Sequence, residues 1–542
     1  MTSSNTDPKD DTTAQPEKSC DRRSFFAVAT AVTAATASGA LATDVSAQDR
    51  RGRRGGTRGQ RRGRGRGNQP PPPPPPNEVP PAIQFQAAPG GTGAYLASLG
   101  GNVPSPAIAV QPWVGDKPAT DEEIAYLPAH RLAALIQARK LTSVELTEIY
   151  IERLHRLNEQ LLCVVNFMDE SARAEAKKAD AEIAAGNYRG PLHGIPWGVK
   201  DLFSTVGVPT TWGAKPFENR IIDVDAAVVT MLRDAGAILV AKLSLGTFAQ
   251  GDNWFRGRTK NPWNTEQGSS GSSAGPGSAT AAGCVGFSIG TETQGSIVSP
   301  TRRCGISALR PTFGRVSRFG GMTLAWSMDK AGPMCRTIED CALVFHAIHG
   351  ADPQDPSTLT APFVWERNAD LSQMRIGYVE GTDETFMAKL SELGAKLVPV
   401  GDRPSSRGRG SALGVESGAA FEDFLAAKLD EQMERPGRVS GMRRSAETTA
   451  LTYLQGVRRR YQLQQEMAEF MENLDMYLCP GGDTGLTNQT GHPAAVFPYR
   501  FENGQPQCTT IIGDVFADDK ILSVAQAYQN ATEWHHRHPE IS

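Results

Sequence analysis

The sequence Gly268-Ser-Ser-Gly-Ser-Ser-Ala-Gly-Pro-Gly-Ser278 is glycine or serine at nine of its eleven positions. Composition alone would favour a flexible linker. Small apolar residues follow at once, at Ala279, Ala281 and Val285, and a flexible tether has no reason to carry them. We therefore expect this segment, called here the Gly/Ser stretch, to be an ordered loop inside a folded domain.

Two serines that each follow a glycine stand out. Ser272 lies in the Gly/Ser stretch and Ser296 lies in Thr291-Glu-Thr-Gln-Gly-Ser296, 24 positions later (296 − 272). Glycine lets a backbone approach a substrate closely and point successive N–H groups at one oxygen. A serine hydroxyl can be a nucleophile or a proton carrier. The pattern indicates two loops that bring hydroxyls and backbone donors to a reacting group.

A lysine lies upstream in Gly194-Ile-Pro-Trp-Gly-Val-Lys200-Asp201. An amine is a base only when neutral, so its reference pKa of about 10.4 must be lowered, which burial does. The apolar neighbours Ile195, Trp197 and Val199 fit burial. Taken alone, the motif favours a surface lysine paired with Asp201. Together with the two serines it favours a buried base.

These motifs, in this order, resemble the amidase signature family. The resemblance spans roughly residues 120 to 535, and three ordered, spaced motifs make it specific. It implies a single large α/β/α domain with a central mixed sheet flanked by helices, and an activity without metal or cofactor. Further matching segments are Cys304–Ser317, Ser327–Pro333 and Asn488–Pro493.

The resemblance also implies a role for each reactive side chain. Ser296 matches the nucleophile, and Lys200 matches the base. Ser272 matches the serine that the family holds on a cis peptide bond and uses as a proton relay. Ser273 is expected to support Lys200 through a hydrogen bond, with a plain loop residue as the alternative.

The turn before Ser296 matches the family's oxyanion hole. The donors would be the backbone N–H groups of Thr293, Gln294, Gly295 and Ser296. Gln294 stands where the family usually has glycine, Glu292 where it has aspartate, and Val298 where arginine is common. The N–H groups survive these changes, so the departures bear on the identity of the substrate more than on the chemistry.

Four other features of the sequence could indicate a different active site or a metal site. The segment Gly271–Gly275 fits a G-x-S-x-G nucleophile elbow centred on Ser273, but a poor strand precedes it. The segment Ser327–Lys330 fits an S-x-x-K motif without its companion motifs, so we expect a chance match. The segment His535–His538 could bind a metal, but a charged chain end is favoured. His492 is expected to be structural rather than a base.

Composition suits a soluble globular protein, with 39% apolar and 21% charged residues. The net charge of −3 says little about partners. The eight cysteines are scattered without a Cys-x-x-Cys pair. This argues against a zinc site and against a compact disulfide scaffold, and no pairing can be deduced.

The N-terminus has the parts of an export signal. Asp21-Arg-Arg-Ser-Phe-Phe26 is followed by an alanine-rich run to Ala42 and by Val45-Ser-Ala47. This order predicts a twin-arginine signal peptide over residues 1–47 and a periplasmic or extracellular location. A membrane anchor is the alternative, but the run is short and weakly apolar for a span.

A tether is predicted between the signal and the domain, over residues 48–118. Its first part is rich in arginine and glycine, and Pro70–Pro76 is an unbroken proline run; neither can form a packed core. No aromatic residue lies between Arg50 and Gly67, so stacking on nucleic acid is excluded there. We expect the tether to be disordered and removable up to Pro118.

The catalytic domain is predicted over residues 119–542 and to be α/β. A helix at Val228–Ala235 leads into a strand that ends at Val240, and Val164–Phe167 reads as another strand. Such alternation is typical of a largely buried sheet. The segment Ala125–Leu157 predicts two helices, the second capped at Thr142.

The sequence therefore predicts an exported amidase that hydrolyses a linear carboxylic amide, not a peptide bond, through an acyl-serine. The expected partner is a small amide; no nucleic acid and no stable membrane span are expected, and a homodimer is left open. One rival is the amidating subunit of a glutamine-dependent transfer-RNA amidotransferase, which has cytoplasmic partners. Another is a non-catalytic surface-binding protein that uses the tether.

We predict that the exported chain begins just after Ala47, because Val45-Ser-Ala47 closely follows the apolar run. N-terminal sequencing of exported protein checks this. Replacing Arg22 and Arg23 together by lysine is expected to stop export and to leave activity in the cytoplasm. An uncleaved chain in the membrane fraction would favour the anchor instead.

Overall fold

The computed structural model describes residues 86–87, 91–409 and 412–541. The predicted signal peptide and the Arg/Gly-rich and proline-rich parts of the predicted tether lie outside these residues. Within them, eleven strands form one sheet and four short strands form two hairpins. The strands are β1 Val164–Phe167, β2 Pro196–Lys200, β3 Ile238–Leu243, β4 Asn253–Trp254, β5 Gly257–Arg258, β6 Lys260–Asn261, β7 Asn264–Gly268, β8 Phe287–Glu292, β9 Ser307–Arg310, β10 Lys330–Cys335, β11 Arg375–Tyr378, β12 Lys396–Pro399, β13 Met476–Leu478, β14 Ala494–Glu502 and β15 Gln505–Gly513.

The large sheet is mixed, and its order is β1-β3-β2-β8-β10-β9-β14-β15-β13-β11-β12. Strand β2 runs parallel to both of its neighbours, β3 and β8, and β11 runs parallel to β12 and β13. The remaining pairs are antiparallel. Because β2 and β8 are parallel, their carboxyl ends lie at the same edge of the sheet.

Helices flank this sheet, which confirms the predicted α/β class. They are α1 Thr92–Ser98, α2 Asp121–Tyr126, α3 Ala129–Gln137, α4 Ser143–Leu161, α5 Asp169–Ala184, α6 Ala227–Asp234, α7 Ala274–Ala281, α8 Val298–Cys304, α9 Ile338–Ile348, α10 Glu384–Glu392, α11 Leu413–Ala420, α12 Glu422–Ala426, α13 Ser440–Ser445, α14 Ala450–Met471, α15 Thr484–Thr490 and α16 Asp518–Asn530. Short 3₁₀ turns lie at Lys215–Phe217, Thr247–Ala249, Leu371–Gln373, Leu429–Gln432, Pro436–Val439 and Trp534–His536.

Apolar side chains of β3 contribute to two different cores. Leu239 belongs to the larger core together with Trp197 and Phe287, whose rings stack at 5.8 Å. Ile238 and Val240 belong to a second core with apolar residues of α4 and α5. Every residue of β3 is buried, as expected for a strand covered on both faces.

The Gly/Ser stretch is part of the domain interior and not a linker. It leaves β7, forms a loop and enters α7, all of whose residues are buried. A side chain at Gly275 would meet the backbone N of Ser244 at 2.4 Å and the carbonyl O of Cys163 at 2.6 Å. Small residues are therefore required here, because the backbone segments lie in direct contact.

The helical region from Ala125 to Leu157 contains parts of three helices, so the prediction of two was wrong in number. The break between α2 and α3 falls at Pro128, which has no backbone N–H to continue a helix. The cap at Thr142 is present as predicted: its hydroxyl accepts from Glu145 N, and the Glu145 carboxylate accepts from Thr142 N.

Residues 91–118, the last part of the predicted tether, contact the domain. Tyr95 stacks on Phe516 at 4.1 Å, and Phe363 N donates to Pro104 O at 2.9 Å. Trp113 packs against the larger core. The expectation that this segment is disordered is therefore wrong for residues 91–118, because scattered apolar residues and backbone groups suffice to dock it. The expectation that the domain keeps its stability without the segment stays untested by these contacts.

In the part of the chain that the structure describes, none of the helices has the length and apolar character that crossing a bilayer requires.

We predict that a chain starting at Pro118 unfolds at a lower temperature than a chain starting at Gln86, because it loses these contacts. The Tm is expected to fall by about 1 °C for each 1 kcal/mol of lost contact free energy, because an unfolding entropy of about 2.1 cal/mol/K per residue is summed over a domain of this size. Both chains lack the predicted signal and the Arg/Gly-rich segment, so calorimetry of the pair reports the docked segment. Equal midpoints would contradict its contribution.

Candidate active site

Lys200 is the last residue of β2, and its side chain is fully buried. Its Nζ atom lies 2.8 Å from Ser272 Oγ, 3.0 Å from Ser273 Oγ and 2.8 Å from Thr291 Oγ1. It also donates to the Thr291 carbonyl at 3.3 Å. The sequence predicted the contacts with the two serines, whereas no motif pointed to Thr291.

The alternative of a surface lysine paired with Asp201 is wrong. Asp201 is buried and pairs with Lys242, whose Nζ lies 2.9 Å from Asp201 Oδ1. The Thr211 hydroxyl and backbone N–H also donate to Asp201. Lys200 itself makes no ion pair with any residue that the structure describes.

Burial without a counter-ion sets the protonation of Lys200. It penalises the charged ammonium and lowers the pKa of Lys200 to about 7, against weaker opposing effects of Asp329 and Glu292. A substantial fraction of the amine is therefore neutral at neutral pH, and it can accept a proton.

Ser272 and Ser273 reach Lys200 from the loop before α7, and both are fully buried. The Gly271–Ser272 peptide bond is cis, as the resemblance implies. Ser273 also bonds the backbone of Thr291, donating to its carbonyl at 3.0 Å and accepting from its N–H at 3.1 Å. These bonds join the Gly/Ser stretch to the end of β8.

Ser296 lies in a tight turn between β8 and α8. Its hydroxyl is half-buried and has no hydrogen-bond partner among the described residues. Its carbonyl accepts from Ser273 N at 3.1 Å, which joins this turn to the Lys200 cluster. Gly295 has a φ of 102°, a conformation that L side chains rarely adopt.

The backbone N–H groups of this turn are unused. Those of Thr293, Gln294, Gly295 and Ser296 find no acceptor in the described part of the chain. Thr293 and Gly295 are buried, and buried N–H groups are almost always paired in proteins, so this run of free donors beside a serine is a candidate anion-binding site. The Gln294 side chain is exposed.

A buried carboxylate, which sequence reasoning did not single out for this purpose, holds the turn. Glu292 accepts from Ile297 N at 2.8 Å and from Val298 N at 2.9 Å. Its other oxygen accepts from Arg310 Nη1 at 2.9 Å and from Asn488 Nδ2 at 2.7 Å. Burial opposes ionisation of Glu292, yet these donors outweigh it and keep its pKa below the usual value.

Two of the three departures from the family pattern, Glu292 and Val298, are in direct contact, because Val298 N donates to the Glu292 carboxylate. Val298, where arginine is common, is buried and packs with Val496 and Cys508. The positive charge beside Glu292 comes from Arg310 on β9. Arg310 and Glu292 are both fully buried, so removing either would leave an uncompensated charge.

A second carboxylate, that of the partly buried Asp329, contacts the turn from the segment just before β10. Thr293 Oγ1 donates to Asp329 Oδ1 at 2.6 Å, and the backbone N–H groups of Leu324 and Ala325 donate to Asp329 Oδ2. Burial raises the pKa of Asp329. Its contact with Thr293 was not predicted, because Asp329 appeared only as an interior residue of the matching segment Ser327–Pro333.

The other sequence motifs do not form the reactive arrangements that they could indicate. The Ser327 hydroxyl donates to Glu416 at 2.7 Å, and the Lys330 amine donates to the Met328 carbonyl. Ser273 is bonded to Lys200 and Thr291 rather than to a histidine. Burial lowers the pKa of His492 to about 3, which keeps the ring neutral and suits a structural residue.

The described residues offer neither a metal site nor a disulfide. Over residues 86–87, 91–409 and 412–541, no cluster of three or more His, Cys, Asp or Glu side chains is arranged to hold a metal ion. The seven cysteines in these residues are free and buried. They are Cys163, Cys284, Cys304, Cys335, Cys341, Cys479 and Cys508.

A cavity of about 730 Å³ opens beside this cluster. Thr291 and Thr293, on either side of Glu292, are among its lining residues. Its volume falls in the range of small-molecule sites in proteins. The arrangement thus combines a base that can be neutral, three hydroxyls, free N–H donors and room for a ligand.

Known proteins are similar to this chain in sequence and in fold. A family model described as Amidase matches residues 145–401. A subunit of the glutamyl-tRNA(Gln) amidotransferase of Methylococcus capsulatus is 33% identical over 474 residues, which cover 75% of this chain and 97% of that protein.

Solved structures of known proteins resemble the fold of this chain. The native peptide amidase of Stenotrophomonas maltophilia is 27% identical, with a TM-score of 0.68 over 76% of this chain and 98% of that chain. The corresponding amidotransferase subunit of Thermotoga maritima shares the fold, with a TM-score of 0.64 at 24% identity over 79% of this chain and 100% of that chain. From the sequence and fold together, we conclude that this chain belongs to the amidase signature family.

Proposed function

We propose that this protein is an amidase that uses Ser296 as nucleophile, Ser272 as proton relay and Lys200 as base. The observation that carries the proposal is the Lys200 amine, which is buried without a counter-ion and contacts the Ser272 hydroxyl at 2.8 Å. Such an amine is neutral often enough near pH 7 to accept a proton. The intact cluster argues against a non-catalytic surface-binding protein.

In the first step, Ser296 Oγ attacks the amide carbonyl carbon. The serine proton passes to the Ser272 hydroxyl while the Ser272 proton passes to Lys200. The carbon–nitrogen bond then breaks, and the ammonium of Lys200 returns a proton through Ser272 to the departing nitrogen. A water molecule, activated in the same way, hydrolyses the ester on Ser296 and releases the acid.

The negative oxygen of the tetrahedral intermediate is stabilised by the free N–H groups of the turn from Thr293 to Ser296. Such donors act without reorganisation only if the turn is held rigid. Glu292 supplies this rigidity, because its carboxylate binds the two N–H groups that follow Ser296. We assign Glu292 and Arg310 a positioning role, since they act through the turn and not on the substrate.

A second candidate is the amidating subunit of a glutamine-dependent transfer-RNA amidotransferase. The identity with the amidotransferase subunit of Methylococcus capsulatus favours it. It needs cytoplasmic partners, whereas residues 21–47 predict export. Glutamine-dependent transfer in the presence of a co-purified partner would support this candidate, and hydrolysis by the isolated chain supports the amidase.

Export by the twin-arginine route remains part of the proposal. That route carries folded proteins, and seven buried free thiols suit a chain that folds in a reducing compartment before it is exported.

We predict that activity falls on the acid side with an apparent pKa of about 7, because the pKa of Lys200 is lowered to about 7 and only the neutral amine accepts a proton. Lys200→Arg is expected to lose about 10³-fold or more in kcat, since arginine stays protonated. The control is Lys242→Arg, which alters a buried lysine that does not contact the Lys200 cluster and is expected to keep the acid limb. Near-normal turnover of Lys200→Arg would remove Lys200 from the mechanism.

We further predict that a fluorophosphonate labels Ser296, forming an O–P bond as fluoride leaves. Peptide mass mapping locates the adduct. Ser296→Ala is expected to lose both labelling and turnover, whereas Ser272→Ala is slowed by about 10²-fold or more and still labels slowly, because its attacking group remains. An adduct on Ser273 would support the nucleophile elbow and contradict the assigned roles.

A further inference from the structure

The cavity beside the Lys200 cluster is large for the amide group alone. Hydrolysis of a primary amide releases ammonia, which needs little space, so most of a 730 Å³ cavity is available to the acyl group. The charged and apolar side chains that line the cavity therefore determine which acyl group fits. Five charged side chains line it: Arg318, Asp329, Lys330, Asp355 and Glu416.

Arg318 and Asp355 satisfy one another. Arg318 Nε and Nη2 each lie 3.0 Å from an oxygen of Asp355, in a two-pronged ion pair. The Ser357 hydroxyl donates to Asp355 at 2.7 Å, and Arg318 Nη1 donates to the Trp326 carbonyl. Neither group is left to bind an ionic substrate without breaking this pair.

Glu416 is also engaged. Its two oxygens accept from the backbone N–H and the hydroxyl of Ser327, at 2.9 and 2.7 Å. Arg460, which donates to the same hydroxyl, supplies a nearby positive charge. The carboxylate thus serves to hold the Ser327 segment and α14, not a ligand.

Burial moves the remaining two groups toward their neutral forms. It raises the pKa of Asp329, whose oxygens already accept from Thr293 and two backbone N–H groups. It lowers the pKa of Lys330 far below its usual value, and that amine donates to a backbone carbonyl two residues earlier. The charged side chains that line the cavity are therefore already paired inside the protein.

Its remaining surface is largely apolar and aromatic. Phe203, Phe313 and Phe319 line it, and so do Val415 and Ala419 of α11. Trp326 also lines it while remaining 49% exposed, so the residues that the structure describes leave about half of this side chain uncovered. Such a face gains most when an apolar group covers it.

We propose that this cavity selects amides whose acyl group is uncharged, apolar and large enough to carry an aromatic ring. The inference rests on the proposed amidase function and names its substrate class. A charged acyl group would lose its hydration without gaining a free counter-charge. Free glutamine, with an ammonium and a carboxylate, is disfavoured for the same reason, which separates this chain from a glutamine-dependent enzyme.

Primary amides that differ only in the acyl group test the proposal, because the leaving group is always ammonia. Hydrocinnamamide is expected to exceed propionamide in kcat/KM by about tenfold or more. Two pairs of matched shape isolate charge: succinamate against isocaproamide, and β-alaninamide against butyramide. In each pair the charged amide is expected to have a kcat/KM that is lower by about tenfold or more.

Trp326→Ala tests the aromatic contact. The ratio of kcat/KM for hydrocinnamamide to that for propionamide is expected to fall about fivefold or more. The control is Ile221→Ala, because Ile221 is equally exposed at 49% but does not line the cavity. This control is expected to keep the wild-type ratio.

The outcomes separate the two proposals. A flat or reversed preference in an active enzyme overturns the substrate class and leaves the proposed chemistry standing. If a fluorophosphonate labels Ser296 but no amide in the set is hydrolysed, the substrate class is likewise overturned and the proposed chemistry stands. No turnover and no labelling of Ser296 would overturn the proposed function, and the substrate class with it.

Discussion

A buried amine without a counter-ion is the constraint on which this site depends. Lys200 is surrounded by the hydroxyls of Ser272, Ser273 and Thr291, and the adjacent Asp201 is paired with Lys242. Hydroxyls can bond a neutral amine as well as an ammonium, whereas a carboxylate would favour the charged form. The Asp201–Lys242 pair thus keeps the carboxylate of the next residue in the chain engaged elsewhere and leaves Lys200 able to act as a base.

The sheet brings the parts of the site together. Strands β2 and β8 are parallel neighbours, so Lys200 and Glu292, the last residue of each, lie at the same edge. The Gly/Ser stretch reaches that edge because α7 is built of residues small enough to pass between backbone segments. Glu292 then fixes the direction of the turn that carries Ser296. The two buried groups at this edge differ in their electrostatic surroundings. Lys200 has no ion-pair partner among the described residues, whereas Glu292 is paired with Arg310.

Much of this could be predicted from sequence, and the rest could not for identifiable reasons. Alternation of helices and strands predicted the α/β class, and the spacing of Thr142 and Glu145 predicted the helix cap. The motifs around Lys200, Ser272 and Ser296, through their resemblance to a family, predicted the candidate site. The contacts of Glu292 with Arg310 and Asn488 join residues 18 and 196 positions apart, and nothing local marks such pairs. The docking of residues 91–118 could not be predicted from sequence either. It depends on single apolar side chains that are not spaced with the period of a helix or a strand.

The measurement that tests this account most directly is the pKa of Lys200 itself. Protein with ¹³C at the lysine ε-carbons can be titrated by nuclear magnetic resonance, and the Lys200 signal assigned by its absence from Lys200→Arg. We expect the Lys200 signal to titrate near pH 7, well below the signals of exposed lysines, which titrate at about pH 10.4. A Lys200 signal that titrates with the exposed lysines would contradict a neutral, buried base and the mechanism built on it.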